Sequence, residues 1–129
     1  MCKVRGVGID LCEIARMEPL LRDDRFLARY FTPDEAAYIR GRGASAAQSL
    51  AGLYAAKEAV LKALGTGLSL PLGEIEVTHS PAGQPLCRLS GSALERAGGG
   101  HIHLSISHEG PMAAAFAVFS DDGADESRC

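Results

Sequence analysis

The chain has 129 residues, of which 47% are hydrophobic and 22% charged. That length fits one domain with its own core, and the composition excludes wholesale disorder. A formal net charge of −3 argues against a general nucleic-acid or membrane binder, and no run approaches the roughly 20 apolar residues of a membrane helix.

Val4 to Leu11 reads as a short strand broken by Gly6 and Gly8, with the charged Asp10 between Ile9 and Leu11. Glu13 to Leu21 predicts a short helix interrupted at Pro19. Arg22 to Arg29 is charged, anchored by Phe26 and Leu27. Thr32-Pro33-Asp34-Glu35 is a helix start: Thr32 as N-cap, Pro33 in the first position, Glu35 completing a capping box. That helix should run to about Arg40. Ser45 is the expected cap of a long helix from Ala46 to Leu64, ended by Gly65-Thr66-Gly67. A loop through Pro71 leads to a strand at Glu74 to Thr78. Ser80 to Pro85 carries turn residues, and Leu86 to Leu89 returns as the hairpin partner. Ser92 to Ala97 predicts a short helix, His101 to Ser107 an alternating strand, and Met112 to Phe119 a last apolar strand. Residues 1–120 are therefore expected to be a single domain, and 121–129 a flexible acidic tail. Early helices and late antiparallel strands argue for an α+β fold.

The cysteines, Cys2, Cys12, Cys87 and Cys129, match no zinc spacing and contain no CxxC pair. The opening MCKVRGVGID shows no secretory leader, so a cytoplasmic protein with reduced thiols is expected.

The long helix poses the chemical question. At about 100° per residue, Leu50, Leu53, Tyr54, Val60, Leu61 and Leu64 share one arc of roughly 120°, with Lys57 near its middle. A lysine there either snorkels or needs a carboxylate or a bound anion. Glu58 and Lys62, four apart at the arc's edge, read either as a solvated pair or as functional groups. Two lysines flanking a carboxylate suit a phosphate, with the carboxylate free for a metal. Asp10 is the candidate second carboxylate; its plainer reading is a helix N-cap. Mg²⁺ takes one or two protein carboxylates and completes its shell with water and phosphate oxygens, so Asp10 plus Glu58 would suffice.

Several ordered motifs resemble those of the holo-[acyl-carrier-protein] synthases, the small bacterial 4'-phosphopantetheinyl transferases. They are Gly8-Ile9-Asp10-Leu11-Cys12-Glu13-Ile14, Arg25-Phe26, Phe31-Thr32-Pro33-Asp34-Glu35, the run from Ala51 to Gly67, Gly83-Gln84-Pro85, and Leu104-Ser105-Ile106-Ser107-His108. The resemblance spans about Val4 to Phe119. It implies an α+β transferase-like fold, with helices on a small antiparallel sheet, and a homotrimer with active sites between subunits. It implies transfer of phosphopantetheine from coenzyme A to a serine of acyl carrier protein, for fatty acid biosynthesis, releasing adenosine 3',5'-bisphosphate. Asp10 and Glu58 would bind Mg²⁺ and Lys62 would hold the phosphates, these three forming the catalytic set. His108 would lie near coenzyme A, and His108 or the backbone around Gly65 and Thr66 is the candidate for contacts to its nucleotide end. Arg16 and Arg25 would face the acidic carrier, with Met17 and Leu20 as the apolar centre of that contact. A solvated basic face is the plainer reading of the arginines, and a turn residue that of His108.

One departure stands out: many members of that family carry an arginine, able to meet a coenzyme A phosphate, where this chain has Leu53. Two other classes remain at this point, a Mg²⁺-dependent phosphohydrolase and a non-catalytic module binding coenzyme A or carrier protein.

Overall fold

The computed structural model describes residues 3–66 and 69–121. Cys2, Gly67, Cys129 and all of the expected tail beyond Asp121 lie outside the described residues.

Strand β1 (Lys3–Glu13), helices α1 (Ile14–Met17), α2 (Asp24–Tyr30), α3 (Pro33–Arg40) and α4 (Ala46–Leu64), the hairpin β2 (Ile75–His79) and β3 (Pro85–Leu89), helix α5 (Gly91–Ala97), and strands β4 (His101–Glu109) and β5 (Met112–Asp121) follow in order. Two antiparallel sheets result: a three-stranded one in the order β1-β5-β4 and the β2-β3 hairpin. Helices with antiparallel strands make the fold α+β, as the chain order suggested. Pairing of Cys12 with Ala113 and of Glu13 with Met112 extends β1 two residues past Leu11.

Helix α4 is the centre of the molecule. The predicted arc is buried apart from the half-buried Tyr54, but so are Ala51, Ala55, Ala56, Ala59 and Ala63. Helices apolar all round belong inside a core. The alanine side is buried because β1 lies directly on it. A Cβ added at Gly6 would sit 2.0 Å from the Ala63 carbonyl oxygen, and one at Gly8 2.0 Å from that of Ala59. The two glycines that seemed to break the first strand are what allow it to lie against the helix backbone.

The capping box at α3 forms as expected: the Thr32 N–H donates to Glu35 Oε1 (2.9 Å) and the Glu35 N–H to Thr32 Oγ1 (3.2 Å). Helix α2 is an addition to the predicted elements. Asp23 Oδ1 starts it by accepting from the Arg25 N–H (3.1 Å) and the Phe26 N–H (3.0 Å), and Leu27 anchors it in the core. Ser45 is not the cap of α4. It ends a 3-10 turn (Gly43–Ser45) that runs straight into the helix, and its ψ of 8° is not the extended conformation in which a side chain can fold back onto the helix N–H groups. At the other end Gly65 takes a left-handed φ of 76° and closes the helix.

The outer face of the larger sheet is apolar along β1 and β5 and polar along β4. In register, Val7, Val118 and His103 form one row, Ile9, Phe116 and Ser105 the next, and Leu11, Ala114 and Ser107 a third. Val7, Ile9 and Leu11 are 57%, 62% and 64% exposed, and Phe116 is 43% exposed.

Gly8→Ala forces β1 away from α4 and should lower stability by at least about 3 kcal/mol. Gly99→Ala, where an added Cβ meets nothing within 4 Å, should stay within about 0.5 kcal/mol of the parent. Chemical unfolding of both variants reads the contrast.

Candidate active site

The close seating of β1 on α4 brings Asp10 to Lys62. Lys62 Nζ donates to the Ile9 carbonyl oxygen (2.8 Å) and to Asp10 Oδ1 (3.1 Å). Its partner is thus Asp10 across the strand and not Glu58 one turn back, which corrects the solvated-pair reading. Nor is Asp10 a helix cap: it lies inside β1, opposite Ala115. An ammonium has three protons. Two are engaged here, and the third meets no acceptor among the described residues, on a side chain that is 53% exposed.

Glu58 lies one helical turn before Lys62 and borders an open pocket of ≈ 520 Å³ with Arg29, Tyr30, Tyr54 and Leu72. Among the described residues no basic side chain pairs with it. Its neighbour is the Tyr54 phenol, which burial, the Glu58 charge and a hydrogen bond to Glu58 push up to about 12. The phenol therefore stays protonated at neutral pH and available as a donor. Asp10 and Glu58 act on one neighbourhood. Burial raises the Cys12 thiol, Arg16 pulls it down, and the carboxylates of Asp10, Glu13 and Glu58 add to the rise. Asp10 on β1, beside Lys62, and Glu58 on α4, beside an open pocket, are hard oxygen donors of the kind Mg²⁺ takes; by donor type the residues present fit that ion.

Lys57 is a different case. It is fully buried, its Nζ 2.7 Å from Glu35 Oε1 and also donating to the carbonyl oxygens of Leu72 (3.1 Å) and Ile75. Glu35 Oε2 accepts the Val77 N–H at 2.7 Å. All three ammonium protons have acceptors, so Lys57 neither touches a phosphate nor balances Asp10 and Glu58. Burial pulls this ammonium below its ordinary range, and Glu35 holds it up against that. Glu35 was legible only as a capping residue. Its second role follows from the demand that Lys57, in mid-core, find a carboxylate.

His108 sits on the far side of α4. Its Nε2 is 3.0 Å from Gln48 Nε2, and it lines a pocket of ≈ 440 Å³ together with Arg42, Ser49, Leu53, His79 and Tyr38. Asp10 pairs with Ala115, which pairs with Ile106; His108 pairs with Ala113, which pairs with Cys12. Asp10 and His108 are thus on opposite edge strands of one sheet, with α4 beneath it. Arg42, His79 and Tyr38 drew no functional reading from the sequence, because their spacing shows no motif until the hairpin folds over α3.

A family model of the 4'-phosphopantetheinyl transferase superfamily matches residues 6–117. The chain belongs to this superfamily. The holo-[acyl-carrier-protein] synthase of Treponema denticola is 43% identical over 119 residues, covering 89% of this chain and 97% of that protein. Among solved structures, the Helicobacter pylori holo-[acyl-carrier-protein] synthase in complex with coenzyme A superposes with a TM-score of 0.77 at 32% identity, covering 88% of this chain and 98% of that one. A Bacillus anthracis holo-(acyl-carrier-protein) synthase in complex with CoA (3',5'-ADP) gives a TM-score of 0.77 at 35% identity, covering 92% and 97%.

Within this phosphopantetheinyl transferase the remaining sequence-predicted residues separate. Arg16 and Arg25 are exposed and Leu20 is half-buried. Met17 is 2% exposed, inside the core beneath α1, so it is not the surface centre of a docking patch. Thr66 donates to the Leu61 carbonyl oxygen through its N–H (3.3 Å) and Oγ1 (3.5 Å), which closes α4. No helix among the described residues is long and apolar enough to cross a membrane.

Lys57→Met leaves the Glu35 carboxylate buried without its ammonium. A loss of about 3–5 kcal/mol in chemical unfolding is expected; a loss under about 1 kcal/mol would mean the pair is dispensable.

Proposed function

We propose that this chain transfers the 4'-phosphopantetheine group of coenzyme A to a serine of an apo-acyl carrier protein, releasing adenosine 3',5'-bisphosphate. It acts in the manner of the holo-[acyl-carrier-protein] synthases that it resembles over nearly its whole length. The observation that carries the reading is the hydrogen bond from Lys62 to Asp10 at the β1–α4 contact, with Glu58 one helical turn before Lys62, in a fold with solved relatives in complex with coenzyme A.

The serine oxygen attacks the phosphorus that carries the pantetheine arm. The bond from that phosphorus to the bridging oxygen of the pyrophosphate breaks, and the electron pair leaves on the nucleotide. Such transfer depends on positioning and charge stabilisation. The free proton of Lys62 points a donor at the departing phosphate. Asp10 and Glu58 would hold Mg²⁺, which when bound would neutralise charge on the pyrophosphate. The serine proton needs a base, and Glu58 is the carboxylate of the pair that no ammonium engages among the described residues. The exposed Arg16 and Arg25 supply positive charge beside the site, where an acidic carrier gains encounter rate. With Met17 in the core, Leu20 alone of the two apolar residues is left for that contact. Residues 1–120 act as one domain, and a cytoplasmic setting suits the free thiols of Cys12 and Cys87.

The site is completed by a second copy of the chain. One molecule presents Asp10, Lys62 and Glu58 along one flank of α4 and His108 along the other. Ser49 and Glu58 are nine residues apart, which puts them about half a turn out of phase and about 14 Å apart along the axis. A contact that joins one flank to the opposite flank of the next copy is heterologous, and closed heterologous contacts make rings. The exposed rows of Val7, Ile9, Leu11 and Phe116 offer the apolar area for such a ring, in keeping with a homotrimer.

Incubation with coenzyme A, Mg²⁺ and apo-carrier, with the carrier weighed by mass spectrometry, should show the gain of one phosphopantetheine arm. Consumption of coenzyme A at unchanged carrier mass would indicate a hydrolase, and no reaction a binding module. Glu58→Gln should lower transfer by at least about a hundredfold without lowering the melting temperature. Co-expressed Glu58→Gln and His108→Ala chains should regain about a quarter of parental activity, since random mixing of a ring leaves that share of sites with both halves intact. No regain would place the whole site within one chain.

A further inference from the structure

Leu53 leaves a gap in the proposed donor site. It lines the His108 pocket but is apolar and 2% exposed, so it offers no charge to a phosphate. The same pocket holds a cation that no motif marks. Arg42 Nε donates to Ser49 Oγ at 3.2 Å, and its guanidinium carbon lies 5.5 Å from the centre of the Tyr38 ring. Tyr38 in turn stacks on His79, with ring centroids 4.6 Å apart and planes 16° from parallel. Of the five N–H donors of a guanidinium, one is engaged, and the other four meet no acceptor among the described residues.

We propose that Arg42 binds the 3'-phosphate of the donor nucleotide in place of the arginine that related signatures carry at the position of Leu53. The proposal rests on coenzyme A being the donor. Three features carry it. The pocket wall contains no aspartate or glutamate among the described residues, and Arg42 is its one formal cation. An anion entering it therefore meets attraction without a competing carboxylate. The guanidinium is held at two points, by Ser49 and by Tyr38, so its planar fork is oriented before a phosphate arrives and less freedom is lost on binding. Coenzyme A also has one phosphate more than the reaction uses. The pyrophosphate belongs with Asp10, Glu58 and Lys62, which leaves the phosphate monoester on the ribose for the flank that has a cation and no metal ligands. Burial and the Arg42 charge both lower the pKa of His79, so at neutral pH it is an uncharged flat surface, and Arg42 carries the charge recognition.

The test compares coenzyme A with dephospho-coenzyme A, which lacks the 3'-phosphate, as donors for the parental enzyme, Arg42→Ala and Arg42→Lys. Arg42 is exposed, and melting temperatures check that each variant is folded. Arg42→Ala should lower kcat/KM for coenzyme A by about 10- to 100-fold, mainly through KM. With dephospho-coenzyme A the further loss should stay under about threefold, because the substitution and the missing phosphate remove the same contact. Arg42→Lys keeps the charge without the fork and should fall between. No loss with coenzyme A, or an equal loss with both donors, overturns the proposal. Calorimetric binding of adenosine 3',5'-bisphosphate and adenosine 5'-monophosphate needs no carrier protein. Binding of the bisphosphate that weakens in Arg42→Ala upholds the assignment even where no transfer is seen. Equal binding by the parental enzyme and Arg42→Ala overturns the assignment even where transfer proceeds.

Discussion

The structure depends on the backbone of β1 lying against the backbone of α4. Gly6 and Gly8 have no Cβ, and the space where one would stand is taken by the carbonyl oxygens of Ala63 and Ala59. Alanine on the helix and glycine on the strand are both needed, since any larger side chain on either surface holds the two apart. The functional consequence is one of reach. Lys62 touches the carbonyl of Ile9 and the carboxylate of Asp10 only because the strand that carries them is this near. A displacement of one or two ångströms would keep the fold recognisable and break the constellation, and catalytic geometry is sensitive on that scale. The glycines therefore act on packing first and on chemistry through it.

Two lysines five residues apart on α4 show how surroundings decide what an ammonium does. Lys57 faces the junction of α3, α4 and β2, where water is excluded, and its three protons go to Glu35 and two carbonyl oxygens. It ties Leu72, in the wall of the Glu58 pocket, to the helix that carries Glu58. Lys62 faces the sheet edge, where its third proton meets no acceptor among the described residues. The buried pair is costly to desolvate and would be costlier to break. Its return is positional: α3, the entry to β2 and the middle of α4 are joined at one point, which limits how far the pocket wall can move relative to Glu58.

Periodicity and local chemistry carried much of the fold into the sequence. Thr32, Pro33 and Glu35 set the start of α3 with no help from elsewhere, and Gly65 set the end of α4. In the larger sheet β4 was legible from alternation, and β1 and β5 as short apolar runs. What escaped reading depended on partners distant in the chain. Ser45 looked like a cap because its residue type fits, yet the preceding 3-10 turn sets its backbone dihedrals. Met17 looked like a surface residue because a four-residue helix shows too little periodicity to tell its faces apart. The site was legible as a set of residue types around Asp10, Glu58 and Lys62. Which carboxylate each lysine serves was not, since that follows from the β1–α4 and α3–α4 contacts. The pocket of Arg42, Tyr38 and His79 comes from α3, its exit and β2, and spacing along the chain encodes nothing of it.

The placement of chemistry on the two flanks of α4 has a consequence for how such a small chain can handle a large substrate. Coenzyme A has a reactive pyrophosphate at one end of its nucleotide and a ribose phosphate at the other, and 129 residues cannot build a deep cleft around both. A central helix buried nearly all round uses the core to hold two shallow sites rigidly apart. One has carboxylates and an ammonium; the other has a guanidinium and flat rings. In the ring proposed above, the exposed apolar residues Val7, Ile9, Leu11 and Phe116 of β1 and β5 lie on the same sheet as Asp10, so association and assembly of the site would be one event.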